Sequence, residues 1–320
     1  MAQLPGSIDR ETCSNAHMVH VPGGRFRMGS DAFYPEERPV RLVEVDGFWI
    51  DTTPVTNAGF ARFVAATGHV TCAEKAPDPA AYPDADPGLL VPGSLVFGRH
   101  PDAPSGPPSW HYCPGANWRL PQGLGSGIES LGDHPVVHVT YRDALTYAEW
   151  AGKDLPTEAE WEYACRGGRN DPRPYQWGEE LAPSGRMMAN YWQGHFPDHN
   201  ACLDGWEFTS MVASFPPNGL GLYDMIGNVW EWTRNRYSLP SACAKTSAYK
   251  CCIIRNPRSA DEGPDNRAPA PGSDDGFKVV KGGSFLCAEN FCQRYRPPAR
   301  QPQAIDTSSC HIGFRCVSRG

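Results

Sequence analysis

Residues Lys281-Gly-Gly-Ser-Phe-Leu-Cys-Ala-Glu-Asn-Phe-Cys-Gln-Arg-Tyr-Arg296 hold two cysteines, Cys287 and Cys292, five positions apart. Five steps around a helix leave two side chains well apart about the axis. Along a strand, an odd step sends them to opposite faces. If both sulfurs serve one site, the segment between them must bend, and Gly282 and Gly283 just upstream permit unusual backbone angles. Two thiolates meeting in a bend can bind a soft metal such as Cu(I), form a redox disulfide, or do both. The ordinary role of a free cysteine is that of a small buried hydrophobe, and the chain has 12 cysteines.

At 320 residues the chain can bury a large core in one or two domains. Hydrophobic content of 40% and charged content of 20% read as globular. A net charge of −7 with no basic run argues against nucleic-acid binding. Gly 33, Pro 32 and a mean hydropathy of −0.49 predict many turns and little regular structure. No apolar stretch approaches the length of a membrane span. The start, Met1 to Arg10, lacks an apolar signal core, so the expected location is cytoplasmic, where thiols stay reduced.

Residues 1–17 read as a flexible tail, and 18–320 as a single domain. His20 to Met28 reads as a short strand or hairpin entry turning at Gly23-Gly24. Thr56 caps a helix from Asn57 that stops at Gly68 and buries Phe60, Phe63 and Val64. Residues 76–109 and 239–276 are Pro- and Gly-rich and read as a long loop and an insertion. A helix starting at Thr140 and Asp143 buries Ala144, Leu145, Ala148 and Ala151 and ends at Gly152. Thr157-Glu-Ala-Glu160 is a capping box whose helix carries Trp161 and Ala164 inward and stops at Gly167-Gly168. Ile312, Phe314 and Cys316 alternate as a final strand. Together these give an irregular α+β domain, and its long loops need something to hold them; bound calcium is a natural candidate.

The Lys281-Gly-Gly-Ser-Phe285 run, Arg294-Tyr-Arg296 and Gly313-Phe-Arg-Cys316 resemble the formylglycine-generating enzyme (sulfatase-modifying factor) family. The resemblance extends in order through Pro22 to Gly29, Val55-Thr-Asn57, His134-Pro-Val-Val-His-Val-Thr140 and Leu155 to Ala164. It continues through Asn190-Tyr-Trp-Gln-Gly194, Asn218 to Tyr223 and Ile226-Gly-Asn-Val-Trp-Glu-Trp232. Most of these motifs mark a broad superfamily; the cysteine pair after Gly-Gly-Ser is the narrower mark. The resemblance implies low regular content related to the C-type-lectin-like fold. Secreted relatives carry two structural disulfides. At the matching positions Cys316 would face Ala148 and Cys165 would face Pro297, which implies an intracellular, bacterial-type member. Cys243, Cys251 and Cys252 have no assignment.

The resemblance also implies a set of sites. Cys287 and Cys292 would bind Cu(I), and the substrate cysteine would join as a third thiolate. O2 then reacts at copper, a hydrogen atom leaves the substrate β-carbon, and the thioaldehyde hydrolyses to the aldehyde. Two soft thiolates suit Cu(I) and leave a position open. Ser284 matches an active-site serine, implied as a hydrogen-bond donor, or is a plain turn serine. Trp230 matches a pocket tryptophan, or is ordinary core. One structural Ca2+ would be held by Asn190, the Tyr191 carbonyl, Asp204 and the Trp206 carbonyl. A second would be held by Asp224, the Met225, Gly227 and Val229 carbonyls, and Glu231. Both are oxygen sets of the kind a hard cation takes. Arg300 and His311 would border the substrate groove.

The chain departs from the family pattern near the reacting centre. Phe291 stands where tyrosine is usual before the second cysteine. The loop Ala288-Glu-Asn-Phe291 lacks the usual basic and hydroxyl residues, and Gln303 and His311 stand where asparagines are usual. The adjacent Cys310 and His311 are both able to ligate a metal, but neighbours on a strand point to opposite faces. The expected function is a copper-dependent oxidase that uses O2 to convert a cysteine to formylglycine. Its substrate would be an unfolded sulfatase-type polypeptide bearing Cys-x-Pro-x-Arg, and it would act as a monomer without membrane or nucleic acid. A related oxidase acting on a different thiol, peptide or natural-product substrate is the alternative. A binding module and a non-haem iron sulfoxide synthase rank lower: both cysteines are retained, and no His-x3-His-x-Glu pattern occurs.

Overall fold

The computed structural model describes residues 17–238, 253–257 and 276–320. Tail residues 1–16, most of the proposed insertion, and Cys243, Cys251 and Cys252 lie outside the described residues. The described strands are β1 (Met18–Val21), β2 (Gly24–Met28), β3 (Arg41–Val45), β4 (Phe48–Asp51), β5 (Gly93–Gly98), β6 (Ser109–Pro114) and β7 (Gly194–His195). They continue with β8 (His199–Asn200), β9 (Trp230–Arg236), β10 (Ile254–Arg255), β11 (Phe277–Lys281), β12 (Arg300–Ala304), β13 (Ile312–Gly313) and β14 (Val317–Ser318). The α-helices are α1 (Asn57–Thr67), α2 (Tyr141–Trp150) and α3 (Glu158–Cys165). Small sheets, few helices and long connections make this the irregular α+β fold that the resemblance implies.

The helices begin and end where local chemistry requires. The Thr56 side chain accepts from the Gly59 amide, and Gly68 closes α1 in the left-handed region at φ 69°. Thr140 with Asp143 and Thr157 with Glu160 form reciprocal capping boxes at α2 and α3. Phe60, Phe63, Ala144 and Ala148 are buried as expected, whereas Val64, Leu145 and Ala151 are only half-buried.

Three expectations are corrected. Met18–Val21 and Gly24–Met28 do not form a hairpin: β1 pairs with β4, and β2 pairs with β3 in another sheet. A Cβ on Gly23 would lie 2.8 Å from backbone atoms of Val45 and Gly47, so a glycine is needed where the chain changes sheets. The 76–109 stretch is not all loop, since β5 pairs with β6 in register from Gly93↔Pro114 to Gly98↔Ser109. The C-terminal strand is split: β13 runs parallel to β9, and β14 pairs with β4. Arg315, expected outward, is fully buried beside Phe314 and Cys316 because Glu231 receives it.

The sheet β12-β11-β9-β13 positions the site. Strand β11 ends at Lys281 and delivers Gly282 and Gly283, at φ 99° and 74°, into the cysteine segment. A Cβ on Gly283 would come within 2.9 Å of the Arg294 carbonyl. The neck of the cysteine loop is therefore closed by close backbone approach, which glycine alone allows.

Candidate active site

The bend inferred from the spacing is present. Ser284 O accepts from the Cys287 amide at 3.0 Å, and Ala288 O accepts from the Cys292 amide at 2.9 Å. These two turns bring the sulfurs to 3.2 Å, in hydrogen-bond contact and well beyond the ~2.05 Å of a disulfide. Cys287 is buried and Cys292 half-buried.

The two thiols differ. Cys292 is lowered to about 7, chiefly because Cys287 donates to its thiolate, with burial opposing and the Arg294 and Ala288 amides and the Arg294 charge assisting. Cys287 is raised well above the ordinary thiol value by the same hydrogen bond and then by burial. With both protonated, either sulfur can donate; once one proton leaves, Cys292 is the acceptor. Arg294 is held in place by Glu36 at 2.6 Å, with its guanidinium carbon 4.2 Å from the Tyr34 ring centre. A thiol pair with one thiolate available near neutrality, free of any covalent bond, suits a soft cation such as Cu(I).

Around the pair, Ser284 is fully buried. Its hydroxyl lies 3.1 Å from His311 Nδ1 and accepts from the Leu286 amide at 3.3 Å. Tyr295 is buried, and its hydroxyl has no partner among the described residues. Phe291 turns outward, 66% exposed, and stacks on Phe196 at 4.5 Å between ring centres. Phe196 stacks on Phe97, Phe97 meets Trp110, and Trp110 lies edge-on to His311 at 4.7 Å. The β5–β6 hairpin thus supplies an aromatic wall that the loop reading missed. The strand-forming run Leu95-Val-Phe97 and the aromatics Trp110 and Tyr112 were the available signal.

The remaining expected residues are placed as follows. Trp230 is 2% exposed and packs in the main core. Arg300 points its guanidinium at Glu158, at 2.8 and 3.1 Å, and at the Ser238 carbonyl, so it is an internal ion-pair partner. Cys310 packs with Phe97, Phe285 and Leu286, and burial pushes its thiol to about 12. Cys310 thus lies in an apolar cluster while His311 turns to Ser284.

In the first expected calcium constellation, the Tyr191 amide donates to Asp204 Oδ2 at 3.3 Å. Gln193 Nε2 contacts the Tyr191 carbonyl and lies 2.7 Å from Asp204 Oδ2. The Trp206 amide donates to Asp204 Oδ1 at 2.9 Å. Asn190 is 1% exposed, and its amide donates to the Phe208 carbonyl. Burial raises the Asp204 carboxyl above its ordinary value. In the second constellation, burial raises Asp224 to about 6. A buried carboxylate and several main-chain carbonyls fit a hard cation. Glu231 differs, since its oxygens already receive Arg315 at 2.7 and 2.8 Å and the Trp161 indole at 2.8 Å. A Cβ on Gly227 would collide with the Asn190 carbonyl, so the two constellations share a glycine-dependent contact.

Residues 5–320 match the family described as the sulfatase-modifying factor enzyme 1-like domain. A protein of Mycobacterium tuberculosis named formylglycine-generating enzyme is 48% identical over 309 residues, covering 94% of this chain and 97% of that one. A mouse protein named inactive C-alpha-formylglycine-generating enzyme 2 is 37% identical, covering 94% and 85%. The solved structure of PvdO from Pseudomonas aeruginosa aligns over 100% of both chains with a TM-score of 0.59 and 26% identity.

Proposed function

The chain belongs to the sulfatase-modifying factor enzyme 1-like family, and from that premise we propose that it converts a cysteine of sulfatase-type polypeptides to formylglycine, using Cu(I) and O2. The family also includes a relative named inactive, so the site must carry the reading. The observation that carries it is the pair of free thiols, Cys287 buried and Cys292 half-buried, with sulfurs 3.2 Å apart.

Cys287 and Cys292 would hold Cu(I) through their sulfurs, and the metal would supply affinity for the substrate thiolate and the electron chemistry of O2. The chain's own residues do the rest. The Cys287 thiol and the main-chain amides stabilise charge on Cys292, and Arg294 adds positive charge beside it. In the overall change the substrate β-carbon loses two electrons and two hydrogens leave, and water then replaces sulfur, which departs as hydrogen sulfide. O2 takes those electrons and, with two more from an external thiol, is reduced to water. A reducing compartment is the setting we infer, since Cys165 and Cys316 are buried free thiols. We assign the two oxygen-rich constellations to structural Ca2+.

The test is mass spectrometry of a Cys-x-Pro-x-Arg peptide incubated with enzyme, Cu(I), O2 and a thiol reductant. Exchange of the cysteine sulfur and two hydrogens for one oxygen is expected, and its absence with copper-loaded protein rejects the proposal. A second reading, the same chemistry on a different thiol, is favoured by the outward Phe291 and by His311 at the rim. Oxidation of an unrelated thiol in preference to this peptide would select it.

A further inference from the structure

The two cysteines are joined by one short turn. The Phe291 and Cys292 amides both donate to the Ala288 carbonyl, at 3.1 and 2.9 Å. A lone turn of this kind fixes several backbone angles for very few hydrogen bonds, so it does not hold its shape unaided. Its two ends are tied to the fold. At the start, the Trp192 amide donates to the Cys287 carbonyl at 3.0 Å, and Trp192 pairs with Ala288 as an isolated bridge. At the end, the Gln293 amide donates to the Tyr34 hydroxyl at 3.1 Å. The crest, Glu289, Asn290 and Phe291, is exposed. There the Asn290 side chain engages both main-chain polar groups of Phe196. Its Oδ1 accepts from the Phe196 amide at 3.2 Å, and its Nδ2 donates to the Phe196 carbonyl at 3.1 Å. A side-chain amide used at both ends copies the exchange of hydrogen bonds between paired strand residues.

We infer that Asn290 is a positioning residue. It clamps the crest of the turn to the segment between β7 and β8, and so sets where the Cys292 sulfur stands relative to that of Cys287. Cys287 needs no such help: it is buried, Ser284 holds its amide and Trp192 holds its carbonyl. Cys292 is half-buried and its amide is bonded within the turn, so its place follows the turn. The 3.2 Å between the sulfurs is therefore set from the Cys292 side. Phe291 stacks on Phe196 beside the clamp. Stacking tolerates a range of ring offsets, whereas two hydrogen bonds to one residue fix both distance and direction. The part Asn290 plays in the reaction rests on the function proposed above; its hold on Cys292 does not.

The test uses the full chain, reduced and metal-free, with phenylarsine oxide as the probe of the pair. Its trivalent arsenic forms one As–S bond to each thiol, and its oxygen leaves as water with the two thiol protons. Mass spectrometry of the bridged 287–292 segment reads the product, and Cys287→Ser gives the background from other cysteines. Asn290→Leu is similar in size and has no polar atom. It should speed exchange of the Phe196 amide about tenfold, the size of one lost hydrogen bond. Affinity for the arsenical should fall by a similar factor, because fewer molecules hold both sulfurs ready. The thermal midpoint and the protection of the Trp192 amide should stay close to wild type. Asn290→Asp keeps the acceptor and should retain protection of the Phe196 amide, with bridging between wild type and Asn290→Leu. Phe196→Leu removes the ring but not the peptide, and should retain both that protection and bridging. A Phe196 amide that exchanges no faster in Asn290→Leu overturns the inference, as does undiminished bridging once the clamp is lost. So does an equal loss of bridging in Phe196→Leu, or a loss that merely tracks the thermal midpoint. A clamp that behaves as described in a protein that leaves the peptide unmodified would reject the proposed function alone. An active protein whose thiol pair is indifferent to Asn290→Leu would reject this inference alone.

Discussion

The pair of thiols divides one proton unequally, and that inequality can be measured. Cys292 should react with iodoacetamide along a pH profile with its first inflection near 7, the value its surroundings impose. Cys287→Ala removes the donor and should move the inflection upward toward 9.0, the ordinary thiol value. An unchanged profile would mean that Arg294 and the main-chain amides, not Cys287, hold the thiolate. The sequence made Cys287 and Cys292 legible as a pair because the spacing excludes both regular structures. It did not make Phe291 legible. Its missing hydroxyl read as a loss at the reacting centre, whereas the ring turns outward onto Phe196, where stacking decides its place. Nor was Arg300 legible as an internal partner, because an arginine in a motif looks the same whether it meets a substrate or Glu158.

Helix α3 shows what patterning alone does not reveal about an element. Its capping box and its apolar Trp161 and Ala164 could be read directly, but the burial of its glutamates could not. All eight residues are buried. Glu158 receives Arg300, Glu160 receives Arg319, and Glu162 receives Lys281 and Arg166. Arg166 lies one helical turn beyond Glu162, but Arg300, Arg319 and Lys281 are too far along the chain to be inferred from local periodicity. Lys281→Met should lower stability by about 3 kcal/mol or more in a denaturant melt, since it leaves buried carboxylates short of a cation. A loss below about 1 kcal/mol would mean the site relaxes or the acids protonate. Burial pushes Glu158 and Glu162 up, but their cations outweigh it and both end below 4.5. A depressed acid contributes stability that is fully present above its unfolded value and is lost as pH falls below it. Thermal midpoints should therefore drop as pH falls below 4.5, less steeply in the Lys281→Met variant.

Across the whole molecule, the fold class followed from composition and motif order, while sheet membership did not. Short strands such as β13 and β14 carry too few residues to declare which sheet they join. The oxygen-rich constellations also act at this scale, because they pin long connections to one another. If calcium occupies them, chelation should lower the thermal midpoint by roughly 5 °C at a hundredfold excess over the dissociation constant. The sign with pH follows from Asp224, raised from 3.8 to about 6. An acid raised in the native state favours the native state while protonated, so chelated protein should lose stability as pH rises through that window. Calcium-loaded protein should not, and identical melts with and without chelator would remove calcium from the account. The thiol loop with its closed neck at Gly283 joins a sheet whose edge strand β13 follows that loop in the chain. A ribosome-bound nascent chain would therefore carry Cys287 and Cys292 open to oxidants until Ile312 and Gly313 have emerged and paired with β9, so folding yield from a cell-free translation should depend on reductant present during synthesis rather than added after it.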